Sequence, residues 1–530
     1  MAQVKLYDTT LRDGAQQEGI SFSIADKLKI VQKLDELGIH YIEGGWPGGN
    51  PKDTEFFIKA RDLSLRNSVL VACGSTRHPD SKVGDDANIR ALIDAGTEVV
   101  TIVGKSHELQ VTNVLGISLK ENLGIIDESI SYLRSKGLTV FYDAEHFFDG
   151  YKINPGYAIE TIETAQKAGA DCVVLCDTNG GSLPSKVAAA IEFVKKMVDI
   201  PLGIHGHNDA ELAVANSLIA VQSGVVQIQG TMNGYGERCG NANLCSIIPD
   251  LQLKMGLSCL TDEQLAKLTE VSRYIAEVAN LTLPINLPYV GTRAFTHKAG
   301  LHVSALMKWE DSYQHVSPKL VGNISKVVVS ELSGKGNVVY KAKELGIDLP
   351  PEGEQARRIL EQIKLMESRG FQYEGASASF ELLLHRTKAD YKRPFELVDY
   401  MVVVERLRRP SASGVEPELL SEATVKVKVG DKIMHTAAEG NGPVNALDRA
   451  LRKALVEFYP DVTSVELVDY KVRILEESSG TESQVRVLIE SSDKQKQWKT
   501  VGSSTNIIEA SWLALADSLE YWLIKQNISS

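Results

Sequence analysis

The chain has 530 residues, 43% of them hydrophobic and 24% charged, with a formal net charge of −12. That length implies roughly two to four domains, and the acidic balance gives no electrostatic reason to bind nucleic acid or an anionic membrane. No apolar run approaches the length of a transmembrane helix, and Met1-Ala2-Gln3-Val4 carries no basic or apolar leader. Cys73, Cys172, Cys176, Cys239, Cys245 and Cys259 form no CxxC pair, so the expectation is a cytoplasmic enzyme without zinc ribbon or disulfide framework.

From residue 4 to about 255 short β-branched runs alternate with amphipathic stretches. The predicted strands are Val4–Tyr7, Tyr41–Glu43, Val69–Cys73, Val99–Val103, Val140–Asp143, Cys172–Cys176, Leu202–His205 and Val225–Gln229. Between them, Ile24, Leu28, Val31, Leu34 and Leu37 recur at helical steps and stop at Gly38. Ile159, Ile162, Ala165 and Ala168 do the same and stop at Gly169. Eight such units in about 250 residues match a (β/α)8 TIM barrel, placed at 1–285. A doubly wound sheet is the alternative, but the GxGxxG expected after its first strand is absent.

Residues 257–285 read as helical, and Pro284, Pro288 and Gly291 mark a linker that opens a helical region at 286–395. Ser333-Gly334-Lys335-Gly336 fails the P-loop spacing. From 396 to 530 strands and turns predict an α+β regulatory domain, with a polar loop at Leu407–Glu418 and a weak internal repeat. Ile433–Leu447 leads into a helix at Asp448–Glu457, and Trp498–Ile508 into one at Glu509–Ile524. In each half a helix N-terminus offers backbone N–H groups to a carboxylate near 440–445 or 502–506.

In a barrel the site lies at the C-terminal ends of the strands. That rim carries Arg12 and Asp13, Glu43, Glu145, Asp177 and Thr178, His205 and His207, and the loop Asn233–Asn241. His205 and His207 are spaced i, i+2 and share one face of a strand, so both imidazoles can reach one ion. Two partly buried, hydrogen-bonded histidines are the plainer reading of that pair alone. With Asp13 the set becomes mixed N/O ligation, which suits zinc, manganese, iron or cobalt, with magnesium a poorer fit. Arg12 beside it can neutralise a developing oxyanion. Arg12 reads equally well as the ion-pair partner of Glu43, and Glu237-Arg238 as a loop-closing pair.

Leu11-Arg12-Asp13-Gly14-Ala15-Gln16, His205-Gly206-His207-Asn208-Asp209 and Gly236–Leu244 (GERCGNANL) resemble the signatures of the DRE-TIM metallolyase superfamily. The chain is most similar to its Claisen-condensing branch, the 2-isopropylmalate, homocitrate and citramalate synthases, and 396–530 resembles that branch's C-terminal dimeric regulatory domain. Gly45–Asp53 and Asp143–Lys152 lean toward the long-form citramalate synthases. The resemblance implies a divalent metal (Zn, Mn, Co or Mg) on Asp13, His205 and His207, with Asn241 a fourth or near ligand. It implies Arg12 as oxyanion stabiliser with Gln16 close by, Thr178 as substrate-carboxylate donor and Glu145 as an acid/base or orienting group. His302 and Tyr313 match a histidine and a tyrosine that reach the neighbouring protomer's site. Val303-Ser304-Ala305 after His302 departs from the family's pattern, which carries an aspartate there. His302 assisted by Glu145 is the preferred base, with water-mediated transfer as the alternative. The implied reaction joins acetyl-CoA to pyruvate in a homodimer regulated by an amino acid, isoleucine by resemblance. The other keto acids of the branch, a retro-Claisen lyase and an amino-acid sensor on an inactive barrel remain as alternatives.

Overall fold

A computed structural model describes residues 4–330, 333–347, 349–350, 354–388, 390–405, 420–475, 480 and 482–529; the predicted loop at Leu407–Glu418 lies outside them. The chain forms two compact units, one of residues 1–295 and 315–325, the other of 296–314 and 326–530.

The first unit is the expected closed barrel, with strand order β1 to β8. The strands are β1 (Lys5–Asp8), β2 (Tyr41–Gly45), β3 (Val69–Ser75), β4 (Val99–Lys105), β5 (Thr139–Glu145), β6 (Cys172–Asp177), β7 (Leu202–Gly206) and β8 (Gln227–Gly230). β1 pairs in parallel with β8, Lys5 opposite Gln227 and Asp8 opposite Gly230, and this closes the cylinder. Helix Ile24–Leu37 shows how local chemistry sets the boundaries. Ser23 and Asp26 form a capping box at its start, and Gly38 ends it at φ 93°, where a side chain would be strained. Ile30, Val31, Leu34 and Leu37 bury its inner face.

Strand alternation divides the barrel interior into two layers. The lower layer is apolar: Tyr7, Tyr41, Val71, Phe141, Cys172 and Val174 pack together, with Tyr41 edge-on to Phe141 at 5.1 Å. Further along β2, β4, β5, β7 and β8 the buried positions turn polar, at Glu43, Thr101, Asp143, His205 and Gln229, whereas β3 and β6 continue with Cys73 and Cys176. This layer also explains why β3, β4 and β5 run two residues beyond their predicted ends. Their last positions continue the ladder while carrying polar side chains that an apolar-run criterion passes over. The segment with Pro284, Pro288 and Gly291 is packed rather than free, because Tyr289, Val290 and Phe295 are buried in the barrel's core cluster. Asn323 ties it down, donating to Tyr289 O at 2.8 Å and Gly291 O at 3.0 Å.

The second unit opens with a two-stranded pair, β9 (Thr296–His297) and β10 (Lys326–Val327), followed by helices Lys335–Glu344, Glu354–Ser368 and Ser377–Arg386. Two antiparallel halves follow. β11 (Glu396–Glu405), β12 (Leu420–Val429) and β13 (Lys432–Gly440) lead into helix Pro443–Leu455. β14 (Glu466–Ile474), β15 (Val485–Ser492) and β16 (Gln497–Ser504) lead into helix Ile507–Ser529. The repeat is sharper than its loops suggest. β11 and β14 both begin Glu-Leu-Val-Asp-Tyr, at 396–400 and 466–470, and both ladders shift register between the Leu and the Asp. The first helix starts at Pro443, five residues before the predicted Asp448, so much of the predicted glycine loop is its first turn.

Candidate metal centre

Inward parity at the strand ends decides which side chains meet. His205 is on β7 and His207 lies just beyond it on the same face; their ring centroids are 5.2 Å apart. The 3-10 turn Gly14–Gln16 after β1 presents Asp13 from its N-terminal side. Asp13 Oδ2 stands 3.2 Å from His205 Nε2 and 3.9 Å from His207 Nε2. All three residues are buried, and one donor atom from each lies within 4.8 Å of the others, an arrangement that can hold a metal ion.

The surrounding hydrogen bonds fit that use. Asp13 Oδ1, His207 Nδ1 and Asn241 Oδ1 are buried without a partner, and buried polar atoms are costly in that state unless a cation or donor meets them. Asn241 is bridged to His207 through the backbone, and its Nδ2 donates to Tyr235 O at 3.1 Å, which leaves the amide oxygen free. Gln229 sets the histidine tautomer. Its Nε2 donates to Asp143 Oδ1 at 3.0 Å, so its Oε1 faces His205 Nδ1 at 2.9 Å and accepts the ring N–H. The lone pair of His205 is thereby placed on Nε2, beside Asp13.

Charge balance follows. Burial opposes ionisation of Asp13, yet Arg12, His205 and His207 outweigh it and hold the carboxyl far below the ordinary range. Burial disfavours a charged His205, but Asp13 raises its pKa above 6.5. Burial together with the charge on His205 pushes His207 down to about 4. Arg12 does pair with Glu43, Nε to Oε2 at 2.7 Å, and its Nη1 lies 3.5 Å from Asp13. Tyr7 Oη donates to Glu43 at 3.1 Å, which fixes that carboxylate from below.

A cavity of about 420 Å³ opens beside this centre, lined among others by Arg12, Asp13, Gln16, Glu145, Thr178 and His207. Glu145 is ion-paired with Lys105, also on the lining. Thr178 Oγ1 accepts the backbone N–H of His146 at 2.8 Å, which leaves the hydroxyl hydrogen for another partner. His146 holds a left-handed φ of 58°. Arg238 closes the far loop with two carboxylates, Asp209 at 2.8 and 3.0 Å and, more loosely, Glu237 at 3.7 Å. His302 and Tyr313 belong to the second unit, where their rings stack at 4.1 Å.

Residues 3–275 match the HMGL-like family, 289–370 the homocitrate synthase post-HMGL domain-like family and 374–523 the LeuA allosteric (dimerisation) domain. The (R)-citramalate synthase of Geobacter sulfurreducens is 54% identical over 527 residues, covering 99% of both chains. That of Aquifex aeolicus is 52% identical over 99% of this chain and 98% of its own. The chain belongs to the (R)-citramalate synthase family. A 2-isopropylmalate synthase of Methanocaldococcus jannaschii stands further off, at 30% identity over 99% of this chain and 96% of its own.

Within this citramalate synthase family member, sequence reasoning assigned no role to Gln229 and Lys105, and placed Trp46 and Asp143 only within stretches of resemblance. Gln229 had a readable signal, a glutamine two residues from Gln227 on a strand otherwise buried on both faces. Trp46 had none at the level of periodicity, because it lies in a loop. At the two helix starts where a carboxylate was expected, the local partners differ. Pro443 occupies the first turn of its helix and brings no N–H, and Asn506 already accepts from Ile508 N at 2.8 Å and Glu509 N at 3.4 Å.

Proposed function

We propose that the chain is an (R)-citramalate synthase of branched-chain amino-acid synthesis. It condenses the methyl carbon of acetyl-CoA with the carbonyl of pyruvate and hydrolyses the thioester, giving citramalate and CoA. Asp13, His205 and His207, with Asn241 as a fourth or near ligand, would hold a divalent cation (Zn, Mn, Co or Mg). When bound, such an ion supplies Lewis-acid polarisation of the keto acid.

The chain's own residues do the rest. Glu43 holds Arg12 by Nε, so the remaining guanidinium N–H groups serve the oxygen on which charge develops at the former carbonyl. Gln16, on the same cavity wall, assists there. Thr178, whose oxygen is occupied by the His146 amide, donates its hydrogen to the keto-acid carboxylate. Glu145, beside Lys105, orients or relays the methyl proton, with His302 as the base and Tyr313 against its ring; in the homodimer this pair would serve the neighbouring protomer's chamber. Residues 1–285 are assigned to catalysis, 286–395 to the helical linker and 396–530 to dimerisation and control, with isoleucine as effector. The observation that carries the reading is the buried Asp13–His205–His207 centre inside a chain that matches (R)-citramalate synthases end to end.

The test is CoA release from acetyl-CoA with pyruvate, 2-oxoisovalerate and 2-oxoglutarate compared in parallel, after loading with manganese, zinc, cobalt or magnesium. Strong preference for pyruvate is expected. Preference for either bulkier acid would keep the chamber and move the activity to a sibling reaction, and silence with all three would overturn it.

A further inference from the structure

Trp46 follows β2 and half-buries its indole at the rim of the chamber. Several contacts independent of the metal centre fix it there. Its backbone N–H donates to Asp53 Oδ2 at 3.0 Å, and Asn50 Nδ2 donates to the same oxygen at 3.0 Å. Lys27, itself buried, holds the other oxygen of Asp53 and donates to Gly44 O at 3.0 Å. The indole Nε1–H donates to Asn88 Oδ1 at 2.9 Å, and Asn88 is anchored in turn to Ser75 O at 2.6 Å. Small residues let this arrangement close. A Cβ on Gly45, at φ 149°, would lie 2.6 Å from the Asp53 carboxylate, and one on Gly49 would lie 3.2 Å from the indole ring. The indole is therefore a fixed surface rather than a rotating side chain.

Its place gives that rigidity a use. Trp46, Arg12 and Gln16 line the reaction chamber, and the same three line a second cavity of about 240 Å³ whose walls include apolar Leu11, Ile20 and Phe22 on one part and Lys27, Lys52 and Asp53 on another. Arg12 and Gln16 are polar and occupied with the reacting oxygens in the reading above. Trp46 is the apolar member of the partition and the largest. We propose that the Trp46 indole is the wall that limits the carbon chain of the 2-oxo acid, admitting a methyl and turning away branched substituents that would otherwise extend toward the second cavity. This rests on the citramalate synthase reading and names the residue that sets its substrate size.

The experiment uses the full-length, metal-loaded protein. For unmodified enzyme and Trp46→Ala, kcat/KM is measured with pyruvate, 2-oxobutanoate and 2-oxoisovalerate, alongside KM for acetyl-CoA. The expected result is a rise of about tenfold or more in the 2-oxoisovalerate-to-pyruvate ratio, the scale of hydrophobic-pocket discrimination, with the acetyl-CoA KM little changed. Asn88→Ala, which frees the indole without removing it, should move the ratio the same way by less, and serves if Trp46→Ala does not fold. An unchanged ratio in both variants overturns the proposal. So does a rise in acetyl-CoA KM at constant ratio, which would put the indole on the thioester side. If unmodified enzyme refuses pyruvate, the functional reading fails on its own, and the wall is then judged by the ratio among the acids it does accept.

Discussion

Asp13 and Arg12 are sequence neighbours with separable tasks. Asp13 faces both histidines, whereas Arg12 is braced by Glu43, itself held by Tyr7, so the two should fail differently when truncated. Asp13→Ala is expected to lose bound metal and activity together. Arg12→Ala should keep its metal and lose turnover by about 100- to 1000-fold, the scale of one oxyanion donor. Metal analysis beside CoA release distinguishes them, and full activity with normal metal content in Asp13→Ala would remove that residue from the ligand set. Titration of His205 adds a pH dependence. Its folded-state pKa is raised above 6.5 by Asp13, so a proton already competes for Nε2 above that pH. Affinity for the ion should therefore fall as pH drops through the raised value. His207, held near 4, adds nothing until much lower pH. In the metal-free protein the His205–Asp13 pair stabilises the fold fully below the unfolded histidine pKa, and that share is lost as pH rises through the folded value. Metal titration by dye competition and urea unfolding of the metal-free protein would run in opposite directions with pH; parallel trends would contradict the assignment.

At the scale of elements, the two βββ-helix halves show why glycines recur where a ligand loop was expected. A Cβ on Gly440 would lie 2.5 Å from Ala446 N, and one on Gly502 would lie 1.9 Å from Ala510 O. Each glycine lets its strand touch the following helix, so packing accounts for both. Gly502→Ala should then destabilise the second unit by about 1–3 kcal/mol, as overpacking does, read as a shift in its urea midpoint with barrel activity intact. No shift would return these glycines to a binding role. The barrel was legible from its eight apolar runs because burial on both faces imposes β-branched residues there. Strand ends were less legible, since Ser75, Lys105 and Glu145 end β3, β4 and β5 with polar side chains that break the apolar pattern just where the strands reach the rim. Asp13, His205 and His207 were legible because spacing alone places them at one rim. Gln229 as tautomer-setter and Trp46 as wall were not, because their roles depend on partners 24 and 42 residues away, His205 and Asn88.

Across the whole molecule, the chain pairs a barrel with a LeuA-type domain, and the effector reading belongs to that pairing. Isoleucine should lower CoA release and raise the melting temperature of the second unit, by the stabilisation that any ligand of the folded state provides. Metal-free protein should bind it equally well by calorimetry; binding that requires the ion would place the amino acid in the reaction chamber instead. Removing 396–530 is a poor substitute for this test. Val501 belongs to the same core cluster as Phe380 and Leu383, and Arg386 pairs with Asp517 and Glu520 at 2.6 Å each, so that cut would strip helix Ser377–Arg386 of its support. The seam between β1 and β8 has a further consequence, one of timing. Ribosomes add about 5–20 residues per second, so the roughly 220 residues between the two strands take about 10–45 s to appear. Throughout that interval β1 offers an unpaired edge, the kind that invites wrong partners. Asp13 is made among the first residues, His205, His207 and Asn241 among the last of the barrel. A centre built from all four would therefore be complete only once the whole barrel segment of the chain has been made.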